Sequence, residues 1–188
     1  MKFFLFPDTE TINIFIKTHG GCFYWCNLVT RILKTRSGKV RVFISSYAHS
    51  AGSILALAAD EVYMTKHATM SAIDPQVDVI GFFSQLPLKD LGKIIQSKDD
   101  VSDHIVNNAG FYKEEIRNLI NPKYDVNLIL EEMYVKIADH GKLFGFSDLQ
   151  KFGINVLDWD GTTIPENDTN STNDTNSTNV TNDTNENQ

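Results

Sequence analysis

The chain is 188 residues long and 41% apolar, enough to enclose the core of one domain. Its formal charge of -7 and its dispersed Lys and Arg leave no basic stripe for phosphates and no cationic face for anionic lipid, which excludes a nucleic-acid partner. Cys22 and Cys26, the only cysteines, share a face of a predicted helix and do not meet disulfide geometry, so a disulfide framework is excluded and a reduced helix face is expected.

At the start of the chain, the apolar residues Phe3 to Phe6 before Pro7-Asp8 are too few for a signal-peptide core, and no later run approaches the length of a membrane span. The expected setting is cytoplasmic, with any peripheral membrane association not encoded in this chain. Residues 11–18 alternate Ile12, Ile14 and Ile16 with more polar neighbours, which predicts a strand ending at His19-Gly20-Gly21. Over 22–34 the set Trp25, Leu28, Val29, Ile32 and Leu33 recurs at helical spacing, and Ser37-Gly38 closes the helix as a turn. Residues 40–46 predict a second strand, then a tight turn over 47–52 and a small-residue helix through Ala59. Short strands follow at 61–64 and 69–73, and Asp74-Pro75-Gln76 ends the alternation. Strand and helix alternating at this spacing favour a parallel sheet with right-handed crossovers.

After about residue 86 the pattern turns helical, with helices expected over 87–98, 101–108, 111–120 and 126–139. A short helix at 147–151 and an edge strand at 154–157 follow. From Glu166 onward the chain is almost only Asn, Asp, Thr and Ser, with no apolar face to offset the entropy of ordering it. The expected division is a domain over 1–160 and a disordered tail over 161–188. Sequons begin at Asn167, Asn170, Asn173, Asn176, Asn179 and Asn182; without a signal peptide they are expected to be a by-product of the low-complexity repeat.

The chemistry concentrates at the two small-residue turns. Each follows a predicted parallel strand and precedes a helix, whose first turn offers unpaired N–H groups and the positive end of a dipole. Ser50, at the start of the second helix, can present its hydroxyl there, while the N–H of Ala51 and one from Gly20 or Gly21 can hold an oxyanion. Gly-Gly and Ser-Ala-Gly also serve as plain helix caps and packing points, and composition alone does not separate the two roles.

Thr18-His19-Gly20-Gly21, then 47–53 (Tyr-Ala-His-Ser-Ala-Gly-Ser), then 56–64 (Ala-Leu-Ala-Ala-Asp-Glu-Val-Tyr-Met) and Ile73-Asp74-Pro75-Gln76 occur in one order and spacing. Together they resemble the serine dehydrogenase proteinase family, within the signal peptide peptidase and Clp protease superfamily, over roughly residues 10–157. The resemblance implies an α/β fold: a ClpP/crotonase-like parallel-sheet core of repeated ββα-type units with a helical C-terminal half. It further implies a serine endopeptidase acting on polypeptide through an acyl-enzyme on Ser50, with Gly20, Gly21 and Ala51 on the oxyanion side. No cofactor and no metal is implied, and a homo-oligomer is expected.

The general base stays open. A Clp-type histidine about 25 residues after the serine is missing, since Ile73-Asp74-Pro75 stands there. The signal-peptide-peptidase branch suggests a lysine on a following helix, matched by Lys93 with Lys89 and Lys98 as alternatives; such a lysine must be neutral to accept a proton, which requires burial. His140, ahead of a glycine turn, is the leading histidine candidate, with a capping role as the plain alternative. Asp74 can orient a base or merely form a turn before proline; His49 reads as a structural neighbour of Ser50, and His19 as a substrate contact. The family pattern carries Gly-Pro where this chain has Ser71-Ala72, and the strand and helix that usually precede the Thr-x-Gly-Gly strand have too little chain here. Two further functions therefore stand beside the peptidase: an inactive oligomeric peptide-binding scaffold, and, less favoured, a crotonase-like enzyme binding acyl-coenzyme A.

Overall fold

A computed structural model describes residues 7–78, 85–87 and 100–166. The helix expected over 87–98, and with it Lys89, Lys93 and Lys98, lies outside the described residues except for Pro87, which ends a short strand.

The first two strands, β1 (Ile12–Thr18) and β2 (Val40–Ala48), pair in parallel, with Phe15 opposite Phe43 and Ile16 opposite Ile44. The register then shifts so that Thr18 meets Ala48. On its other side β2 changes partner along its length: Arg41 to Ile44 pair with β3 (Glu61–Met64), whereas Tyr47 and Ala48 pair with β4 (Thr69–Ser71). The hairpin β5 (Gln76–Asp78) and β6 (Gln85–Pro87) forms a separate two-stranded sheet. In the six-stranded sheet, β7 (Leu143–Gly145) is antiparallel to β4, and β8 (Val156–Asp158) is the parallel edge partner of β3. The α/β core with a parallel-dominated sheet is therefore present as expected.

Both faces of β2 are covered, so residues 40–44 are all buried rather than alternately exposed, and all but Arg41 are apolar. Val42 and Ile44 face the main core together with Ile54, Leu57, Val62, Met64, Ile116 and Met133. Phe43 faces the other way, stacked between Phe15 and Tyr63 at 5.0 and 4.7 Å between ring centroids, with Trp159 edge-on at 5.2 Å.

The helices depart from the sequence pattern in three ways. In α1 (Phe23–Lys34) the stripe of Trp25, Leu28 and Val29 is exposed, Trp25 at 62%, and the face turned inward is Phe23, Cys26, Thr30 and Leu33. The reason is close approach: α2 (Ala51–Leu57) lies against α1, and the small Cys26 admits it, its Sγ donating to the Ala51 carbonyl at 3.1 Å. The helices expected at 101–108 and 111–120 are one, α3 (Asp100–Leu119), running through Gly110. A glycine inside a helix costs about 1 kcal/mol relative to alanine, too little to stop a 20-residue helix. The helix expected over 126–139 is shorter: α4 (Val126–Leu130), capped by the Asp125 carboxylate accepting from Leu128 N at 3.0 Å, runs into a π-helical turn over Glu131–Val135. The last helix, α5 (Phe146–Lys151), leads into β8.

That π-helical turn anchors the end of β4, because its Met133 carbonyl accepts from Ile73 N at 3.0 Å, and Lys142 O accepts from Ala72 N at 3.3 Å. The exit of β4 is thereby bound to the segment that carries His140. At the far end of the sheet, Arg41 is 2% exposed, pairs with Glu61 at 2.9 Å and donates to the carbonyls of Pro165 and Glu166. Among the described residues no helix is long and apolar enough to cross a membrane.

Candidate active site

Where β1 and β2 end, the two small-residue turns touch. Gly20 and Gly21 have φ of 110° and 151°, a backbone region that residues with a Cβ rarely adopt. Space is short as well: a Cβ on Gly20 would lie 2.8 Å from Ser50 Cβ and 2.9 Å from His49 O. His49 N donates to Thr18 O at 2.9 Å, so the β1–β2 pairing continues into the turns and sets their separation.

Ser50 is the one non-glycine residue with positive φ among the described residues, at φ 50° and ψ −117°. Strain of this kind costs on the order of 1–3 kcal/mol and persists only where the surroundings hold it. Ser50 occupies the cap position of α2, yet its hydroxyl makes no capping bond, and the residue lines a cavity of about 590 Å³. The same cavity is bordered by His19, Gly20, Gly21, Ala51, Asp74 and His140. A sharp strand-to-helix turn that places a serine in the lining of a cavity is a geometry that suits a nucleophile.

Within the same lining, His140 Nδ1 lies 2.9 Å from Asp74 Oδ1, and the Asp74 side chain is fully buried. Gln76 Nε2 donates to the other carboxylate oxygen at 3.1 Å. A carboxylate on Nδ1 favours the tautomer with its proton there and leaves Nε2 as an acceptor. Thus Ser50, Ala51, both glycines and His140 are brought to one cavity, while Lys93 lies outside the described residues. Asp74 is more than a turn former: it sits where it can orient an imidazole. The histidine beside Ser50 points elsewhere, His49 Nε2 lying 3.0 Å from Thr69 Oγ1, and burial, with a contribution from neighbouring His19, holds its pKa below the usual value. His19 stacks on Tyr47 at 4.4 Å and borders the cavity.

The link of Ser53 and Ser71 to Ser50 had no signal in the sequence. Ser50 N donates to Ser71 Oγ at 2.8 Å, Ser71 N donates to Ser53 Oγ at 3.0 Å, and Ser53 Oγ donates to Ala48 O at 2.7 Å. Buried serines in strand and helix interiors carry no pattern that marks such a link in advance.

The sequence profile of the ClpP-like SDH-type serine proteinases matches residues 3–139. The chain belongs to this family. Its matched region holds Ser50, the glycine pair, Asp74 and Lys93, and stops one residue before His140. Two proteins of Methanocaldococcus jannaschii are similar: MJ0137, 29% identical over 122 residues, and MJ1495, 41% identical over 73 residues. The stretches cover 64% and 39% of this chain but 41% and 25% of those proteins, so the family member described here spans less than half of either. Among solved structures, two of the 1510-N membrane-bound stomatin-specific protease are similar at TM-score 0.56 and 16% identity. One has a lysine replaced by alanine and a bound substrate peptide, and the other a serine replaced by alanine. They cover 79% of this chain and 60% and 64% of their own, and at this identity the likeness shows the fold.

Proposed function

We propose that this chain is a serine endopeptidase in which Ser50 Oγ attacks the scissile carbonyl, His140 takes the serine proton and returns it to the leaving amine, and Asp74 orients the imidazole. The tetrahedral oxyanion is held by the Ala51 amide at the start of α2 and by an amide of the Gly20-Gly21 turn. Water then hydrolyses the acyl-enzyme with His140 as base. The observation that supports this most is the strained Ser50 turn, packed against Gly20 and facing the same cavity as the His140–Asp74 pair. The substrate is polypeptide, and a homo-oligomer is part of the same proposal. A second base, Lys93, is favoured by one observation: a similar protease has been solved as a lysine-to-alanine variant with substrate bound.

The test is hydrolysis of casein and of a fluorogenic peptide by the full chain, together with fluorophosphonate labelling located by mass spectrometry. Wild type is expected to carry one adduct, at Ser50, and Ser50→Ala to lose about 10⁴-fold or more in rate. His140→Gln and Asp74→Asn should each fall steeply while Lys93→Ala retains activity; the reverse ranking assigns the base to Lys93. No adduct on folded wild type, under conditions that label a related protease, leaves the scaffold function instead.

A further inference from the structure

We infer that Ser71 is a positioning residue for the nucleophile: its buried hydroxyl holds the backbone of Ser50 in the conformation that exposes Ser50 Oγ and frees the Ala51 amide. The inference rests on the peptidase function proposed above and adds a residue that the family resemblance does not supply, since the family pattern has Gly-Pro where this chain has Ser71-Ala72.

The amide of Ser50 is the first group after the turn that needs a partner, and the helix it precedes cannot provide one. It donates to Ser71 Oγ at 2.8 Å, and the Ser71 hydroxyl proton is directed away, to Ala72 O at 3.2 Å. Ser71 itself is held by its own N–H donating to Ser53 Oγ, and Ser53 by its hydroxyl donating to Ala48 O. Ser53 is 0% and Ser71 3% exposed, so water does not compete for these bonds. The four bonds join the end of β2, the first turn of α2 and the end of β4 across the residue with φ 50°.

The clamp bears on the chemistry in two ways. With its N–H committed to Ser71, Ser50 contributes no oxyanion donor of its own, and the next amide, that of Ala51, takes that task. Without the Ser71 acceptor, the Ser50 turn is free to relax toward an ordinary φ, which swings Cβ and the hydroxyl away from the cavity. A displacement near 1 Å at reacting atoms costs about 10²-fold in rate.

The experiment compares wild type, Ser71→Ala, Ser71→Cys and Ser71→Thr in the full chain. Cysteine is close to serine in shape and a weak acceptor, so Ser71→Cys decides the matter if Ser71→Ala does not fold. Two quantities are read: hydrogen exchange of the Ser50 amide by NMR, and the rate of fluorophosphonate labelling of Ser50. Loss of the acceptor should speed exchange at Ser50 and slow labelling about 10²-fold, with KM for a short peptide unchanged; Ser71→Thr, which keeps the hydroxyl, should restore both. Wild-type labelling rates in Ser71→Cys overturn the positioning role, and unchanged exchange overturns the clamp itself. Failure of the peptidase function shows differently: wild type is then unlabelled, while faster Ser50 exchange in the variants still supports the clamp.

Discussion

Gly20 carries a constraint that no other side chain can meet. Its φ of 110° disfavours any Cβ, and the position such an atom would take lies 2.8 Å from Ser50 Cβ and 3.3 Å from Ala51 N. Alanine there must push the Ser50 turn outward or pull the end of β1 away from β2. Gly20→Ala is expected to lower stability by about 1–3 kcal/mol in urea unfolding and to slow labelling of Ser50 more than that loss alone explains. Equal labelling by the folded variant would mean that the two turns are less closely coupled than their contact indicates. The Asp74–His140 pair belongs to the same scale but was not legible in the same way. Asp74 before proline has an adequate local explanation as a turn, and its partner is 66 residues away; only the docking of the Met133 and Lys142 carbonyls on Ile73 and Ala72 makes them neighbours.

At the scale of elements, α3 shows that a glycine weakens a helix without deciding its end. Gly110 is exposed, and a Cβ added there would meet nothing within 4 Å. Gly110→Ala should therefore stabilise the protein by about 0.5–1 kcal/mol, read as a higher urea midpoint with an unchanged slope. A loss of stability would show that the helix is not continuous at that point. In α1 the sequence pattern located the helix but not its buried face. Trp25, Leu28 and Val29 have the right spacing for a core stripe, yet Cys26 and Thr30 are the residues small enough for α2 to approach. Apolar periodicity reports that a helix is amphipathic; which stripe is covered depends on the shape of the neighbour.

The whole molecule is tied at the end of the sheet opposite the cavity by Arg41. Its guanidinium is buried, bound to Glu61 and to the carbonyls of Pro165 and Glu166, and so joins β2, β3 and the segment after β8. Arg41→Met is expected to cost about 3 kcal/mol, since it leaves a carboxylate and two carbonyls short of a donor, and to expose the segment after Trp159 to proteolysis. The same cluster governs the response to acid. Burial alone would raise the Glu61 pKa, but hydrogen bonds from Lys39, Tyr63 and Arg41 outweigh it, and the carboxyl lies below its ordinary value. A carboxyl whose folded pKa is depressed contributes stability above its unfolded pKa and loses that contribution as pH falls through the folded value. Stability should thus decline as pH drops below about 4.5, and Glu61→Gln, though less stable at neutral pH, should show a flatter decline in urea midpoints over that range. An identical slope in both proteins would remove Glu61 from the acid response.

Strand, small-residue turn and helix in alternation, the glycine pair and the serine at a helix start were all determined by the sequence itself, because side-chain periodicity and turn stereochemistry act over a few residues. The tertiary structure alone decided that β2 passes from β3 to β4, that the loop at His140 runs beside Asp74, and that a hydroxyl from β4 reaches the Ser50 amide. These contacts join residues far apart in the chain. They exist only once a common core has fixed the distances between elements, and no local pattern of residues encodes them.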